Sequence, residues 1–164
     1  MMVTSEARHL ICALSSVGSQ LIAIDGWHRS GKTWLGRSAA SVMKRNWLDL
    51  DRLLERKQDA FVDCLDLSGL REATQNGGPL ILSGVCMREV LARVGNPEAI
   101  HVYVKRMHLG YWTQEEEVRG HSSDIDKHFP PGALELEVRS YHELFKPHEK
   151  ATFIYERPVN ASGL

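Results

Sequence analysis

The sequence predicts an α/β fold, a parallel β-sheet covered by helices. Two patterns point to it. Short, continuous apolar runs such as LIAI (21–24) and PLIL (79–82) suit strands buried on both faces. Between them, apolar residues recur every three or four positions, the spacing of amphipathic helices. Gly and Pro clusters punctuate the alternation, which implies parallel crossover units.

Residues 4–16 read as a helix, with Thr4 or Ser5 as cap and Leu10, Leu14 and Val17 on one stripe. QLIAID (20–25) is the first buried strand. Residues 32–43 return to helical spacing through Leu35, Ala39 and Val42 or Met43, and NWLDL (46–50) is a weaker strand. A helix at 66–75 takes Asp66 as cap and turns Leu67, Leu70 and Ala73 or Thr74 inward. Gly77-Gly78-Pro79 breaks the chain before the strand LILSGV (80–85). Met87, Val90, Leu91 and Val94 then define a helix stopped by Gly95-Asn96-Pro97. AIHVYVKR (99–106), rich in β-branched residues, is a strand. The polar stretch 108–132 reads as an excursion from the core. Leu134, Val138, Tyr141 and Phe145 mark a strong helix, and ATFIYE (151–156) closes the sheet. There is no internal repeat.

A chain of 164 residues suits one domain, 1–164, which can bury roughly 70% of its unfolded surface without a disulfide or metal staple. Charged residues are 25% and the formal charge is -1, a balance that argues against disorder and against a nucleic-acid partner. The three cysteines are scattered and form no Cys-x-x-Cys pair, so reduced thiols and a cytoplasmic location are expected. The apolar runs are too short to span a bilayer, and a signal peptide is not expected.

One motif carries most of the chemistry. GWHRSGKT (26–33) fits G-x-x-x-x-G-K-[ST], a loop that wraps phosphate. This composition yields the pattern by chance in roughly 0.5% of such chains. Gly26 and Gly31 let the loop bring backbone N–H groups against an anion, with Trp27, His28, Arg29 and Ser30 as the variable positions between them. Lys32 supplies a mobile charge for the β- and γ-phosphates. Thr33 offers a hydroxyl to Mg²⁺, and the following helix points its positive end at the anion.

IDGWHRSGKT, with further segments, resembles the uridine-kinase-like P-loop kinases of the nucleoside and nucleotide kinase group. WLDLDRLL (47–54) is similar to that family's second strand, which ends in aspartates. PLILSGV (79–85) and HELFKPHEKATFIYE (142–156) resemble its later strand segments. The resemblance covers roughly residues 20–156. It implies a P-loop NTPase three-layer sandwich with a five-stranded parallel sheet, a lid at about 108–132, ATP as donor, Mg²⁺, and a small, nucleoside-like hydroxyl acceptor.

Asp51 ends the second strand at the edge where α/β sheets bind ligands, and could take the acceptor's proton or join Thr33 on the metal. Asp49 is the fallback; a helix cap or solvated charge is the plainer role for Asp51. Arg119-Gly120 matches the family's lid Arg-Gly, which makes Arg119 a candidate to stabilise charge on the transferring phosphoryl group, although Glu115, Glu116 and Glu117 precede it. Lys105 and Arg106 are either phosphate contacts or solvated charges. Trp27 and His28 either shape the acceptor pocket or pack against the lid. Ser83 stands where the resembled kinases carry an acidic residue, with Asp51 or Asp25 as possible substitutes. The eight histidines show no zinc spacing. Catalytic candidates are therefore Lys32, Asp51 and Arg119. The alternative is a nucleotide-binding protein or degenerate kinase without turnover, and a P-loop hydrolase is a weaker third.

Overall fold

In the computed structural model, which describes residues 1–18, 21–54, 61–76, 78–95, 98–119 and 131–159, β2 (Leu21–Gly26) runs through the middle of the sheet. All six of its residues are buried, as its unbroken apolar run predicts. β4 (Leu80–Ser83) and β5 (Ile100–His108) flank it, both parallel. Outside them lie β3 (Asn46–Asp49) and β7 (Phe153–Pro158), which complete the expected five parallel strands. Two more join that core. β1 (Met2–Thr4) pairs parallel with β7 at the edge, and β6 (Tyr111–Trp112) pairs antiparallel with the end of β5. The order is β1-β7-β5-β2-β4-β3, with β6 off this path.

Alternation within β2 sends side chains to both layers. Ile22 and Ile24 join Leu10 and Leu14 of α1 (Ala7–Val17) and Leu35 and Ala39 of α2 (Lys32–Met43). Leu21 and Ala23 pack on the opposite face with Leu70 of α3 (Leu67–Asn76), Val90 and Leu91 of α4 (Met87–Arg93) and Val138 of the helix Ala133–Phe145. That is the three-layer sandwich. Among the described residues, no helix is long and apolar enough to cross a membrane.

Two stretches differ from the sequence reading. The N-terminal helix begins later than expected, at Ala7, because Met2–Thr4 pair with β7; Glu6 takes the cap position and the Thr4 hydroxyl accepts from its N–H. The polar stretch after 108 carries regular structure at its start. β5 runs on to His108, turns into β6, and is followed by the single turn α5 (Glu115–Val118). The remainder of the expected lid, 120–130, lies outside the described residues. The helix Ala133–Phe145, α6, then leads back toward β7.

Candidate phosphate-transfer site

The phosphate loop leaves β2 at Gly26 and ends at Gly31, the N-cap of α2. Both glycines are required. At Gly26 φ is +148, and a Cβ would lie 2.6 Å from the carbonyl oxygen of Val104 on β5. At Gly31 φ is +105, and a Cβ would strike the Arg157 guanidinium at 2.6 Å. Inside the loop the Ser30 N–H donates to the Trp27 carbonyl. Trp27 itself is buried beneath the loop, its ring against His28 at 5.4 Å and His142 at 5.3 Å. His142 accepts from the Tyr103 hydroxyl at 2.8 Å and donates through Nδ1 to the Val138 carbonyl, while burial lowers its pKa to about 4 and keeps the ring neutral. Trp27 therefore packs, whereas His28 lines the cleft.

Lys32 is buried in the first turn of α2 and donates its ammonium to the Trp27 carbonyl at 2.7 Å. Burial lowers its pKa to about 8, against the pull of Asp25, Asp51 and Asp49. The next residue, Thr33, donates its hydroxyl to Asp49 Oδ2 at 3.0 Å. Asp49 is buried at the end of β3, and its other oxygen accepts the Asp51 N–H at 3.4 Å. Asp51 sits in the 3-10 turn Leu50–Leu53 with its carboxyl facing the same cavity. The surrounding protein and the Asp49 charge raise its pKa, and Lys32 draws it back.

These groups converge on one cavity of about 1240 Å³ at the C-terminal edge of the sheet. Leu54, Phe61, Val85 and Leu134 supply its apolar wall beside Asp51. Loop lysine, loop threonine and both aspartates are thus brought together. Arg119 is not: it pairs with Glu115 at 2.6 Å, largely exposed, and is not among the described residues lining the cavity. Lys105 lies over the Trp112 ring at 4.6 Å, and the Arg106 carbonyl accepts from Thr113. Ser83 is buried and accepts the Trp47 indole N–H at 3.0 Å, so a packing contact occupies its hydroxyl.

Sequence reasoning ranked Asp49 second, though its position beside Thr33 makes it the nearer oxygen to any metal held there. It missed Asp25. That residue precedes Gly26, is buried, and accepts hydrogen bonds from the Gly26 N–H and the Tyr141 hydroxyl of α6. Burial raises its pKa to about 6, opposed by Tyr141, the Gly26 amide and Lys32. The sequence also gave no sign that the outer face of α2, from Trp34 to Val42, borders the same cavity.

The fold as a whole has parallels among solved structures. The fold is that of the P-loop kinases. A structure described as a possible uridine kinase from Bacillus stearothermophilus is similar over 92% of this chain and 97% of its own, with a TM-score of 0.57 at 13% identity. Shikimate kinase from Acinetobacter baumannii, in complex with shikimate, is similar over 92% and 89% at a TM-score of 0.51 and 20% identity. An uncharacterized protein from Eubacterium ventriosum matches over 84% and 88% at 0.51 and 15%. No protein-family model matches the chain, and no curated protein does.

Proposed function

We propose that this P-loop fold is a phosphotransferase that moves the γ-phosphoryl group of ATP to a hydroxyl of a small, nucleoside-like acceptor in the cytoplasm. One observation carries the reading: Lys32 and Thr33 of the loop meet Asp49 and Asp51 in a single cavity at the sheet's C-terminal edge. The residues present suit Mg²⁺. They are hard oxygen donors, and among the described residues no group of three His, Cys, Asp or Glu could cage a metal alone. That fits an ion shared between one or two carboxylates and substrate phosphates. Thr33 and Asp49 would hold it; when bound it neutralises charge on the phosphates.

The other steps belong to side chains. Loop amides and the first-turn N–H groups of α2 seat the phosphates, and Lys32 leaves the Trp27 carbonyl to meet their charge. The apolar wall holds the acceptor's body. Asp51 accepts the proton from the acceptor hydroxyl as its oxygen bonds to the γ-phosphorus and the bond to the β-bridging oxygen breaks, giving ADP and the phosphorylated acceptor. A raised carboxyl pKa improves that base. Arg119 serves as a charge-stabilising arginine only if the segment it heads brings it to the cavity.

A second reading, nucleotide binding without turnover, is favoured by Ser83, whose neutral hydroxyl is engaged by Trp47. The deciding experiment incubates the protein with MgATP and a panel of nucleosides and small alcohols, with mass detection of phosphorylated products. ATP consumption that requires an acceptor supports the kinase. Binding without consumption supports the second reading, and phosphate release without any acceptor means a hydrolase.

A further inference from the structure

Of the four side chains that wall the cavity beside Asp51, three stand on elements already tied into the fold. Val85 follows β4 into the core, Leu134 lies in the first turn of α6, and Leu54 is bridged to Leu65. Phe61 is different. It opens the 3-10 turn Val62–Cys64, three residues long, and the first N–H groups of any such turn have no partner within it.

Glu137 of α6 takes those groups. Its Oε2 accepts from the Phe61 N–H and its Oε1 from the Val62 N–H, the second at 2.9 Å, across 76 and 75 positions of sequence. One carboxylate oxygen on each of two successive donors is a charge-assisted clamp. The turn's other polar tie runs from Asp63 to Arg93 of α4, an ion pair open to solvent, and such pairs hold little. Leu134 and Tyr141 lie three residues before Glu137 and four after it, on the same face of α6. Leu134 lines the cavity and Tyr141 donates to Asp25, so this one helix face sets Phe61 and Leu134 against the base of the phosphate loop.

Glu137 is not among the residues lining that cavity. It borders a smaller one of about 380 Å³, on the side of Asp63 and Arg93, and reaches the site only through the turn it holds. We propose that Glu137 is a positioning residue for acceptor recognition, a role that rests on the phosphotransferase reading above: its carboxylate fixes the Phe61 turn, and the Phe61 ring then sets the width of the acceptor end. Without the clamp two N–H groups lose their acceptor and the turn loosens, while Lys32 and Thr33 keep their places on α2.

The test compares wild type with Glu137→Ala, Glu137→Gln, Phe61→Leu, the Glu137→Ala and Phe61→Leu double variant, and Arg93→Ala. Calorimetry reads MgATP affinity, mass spectrometry reads amide exchange at 61–66, and kinetics read kcat and KM for the best acceptor of the panel above. Glu137→Ala should speed exchange of the 61 and 62 amides about tenfold or more and raise the acceptor KM by a similar factor. MgATP affinity should stay within about twofold and kcat within about threefold. Gln offers one carbonyl oxygen to two donors, so Glu137→Gln should fall between, and it carries the test if Glu137→Ala does not fold. Arg93→Ala should leave KM unchanged. Because Glu137 acts through Phe61, the double variant should lose less than the product of the two single losses. An unchanged KM in the Glu137 variants overturns the assignment even if exchange rises. Single losses that multiply in the double variant, or an equal loss of MgATP affinity, mean general loosening and overturn it too. If wild type binds MgATP but phosphorylates no acceptor, the phosphotransferase reading fails and the role of Glu137 with it.

Discussion

Lys32 holds the backbone of its own loop through the Trp27 carbonyl, and the same ammonium must serve bound phosphate. Replacing it with Ala should cost about 1.5–3 kcal/mol of MgATP binding, tenfold or more in affinity, which calorimetry reads directly. Unchanged affinity would count against the loop assignment. Its lowered pKa, about 8, adds a pH signature. Below that value the ammonium is already charged and affinity should be flat. Above it, binding must first restore the proton, so affinity should fall as pH rises and each MgATP bound should take up a proton. Titration at pH 9 in two buffers of different ionisation enthalpy would reveal that uptake. The cap of the 3-10 turn Leu50–Leu53 is Asp49, not Asp51 as the sequence suggested, so Asp51→Asn tests the base alone: it keeps the side chain's size but accepts no proton. Turnover should drop ~10²–10⁴-fold with MgATP affinity nearly unchanged. A variant within about threefold of wild type defeats the base role, and one rescued by excess Mg²⁺ moves Asp51 onto the metal beside Thr33.

At the level of elements, α2 lies so close to β3 and β4 that a Cβ on Gly36 would sit 2.5 Å from Trp47 Nε1 and 3.3 Å from Ser83 Cβ. Gly36→Ala must push Trp47 from Ser83, and overpacking of this kind typically costs ~1–3 kcal/mol. Urea unfolding should show that loss even though Ala is the better helix former; a neutral or stabilised variant would mean that α2 can shift outward freely. β2 and β4 were legible in the sequence because burial on both faces writes an unbroken apolar run, as at 21–24 and 80–82. β1 was not. It is three residues long and mostly exposed, and only its pairing with β7, at the far end of the chain, makes it a strand. The loop of the site was readable for the same local reason, its spacing being contiguous. Asp49 and Asp51 were visible as a pair, but which of them faces Thr33 depends on how β3 meets α2, and no local pattern encodes that.

Across the whole molecule, the centre of the sheet is tied to α6, the helix that follows the expected lid, through a buried bond between residues 116 positions apart: Tyr141 donates to Asp25, the residue before the loop. Arg88 of α4 joins the same knot, its N–H donating to the Tyr141 oxygen. Asp25 must therefore be held as an acceptor on both oxygens, in a place where burial penalises its charge. Its pKa in the folded protein is about 6, raised from 3.8. Between those values the folded protein binds more protons here than the unfolded chain, so stability from this group is complete below about 4 and is lost as pH rises through 6. A shift of roughly two units corresponds to about 3 kcal/mol. Asn at this position does not titrate, although it leaves one of the two donors without its acceptor. Urea unfolding of wild type and Asp25→Asn at pH values from 4 to 7.5 isolates the effect, because every other titrating group is common to both. The advantage of wild type over the variant should shrink by about 2 kcal/mol across that range, mostly between pH 4 and 6. A constant difference would mean that Asp25 is either ionised or protonated throughout, and that the knot linking α6 to the phosphate loop does not respond to pH.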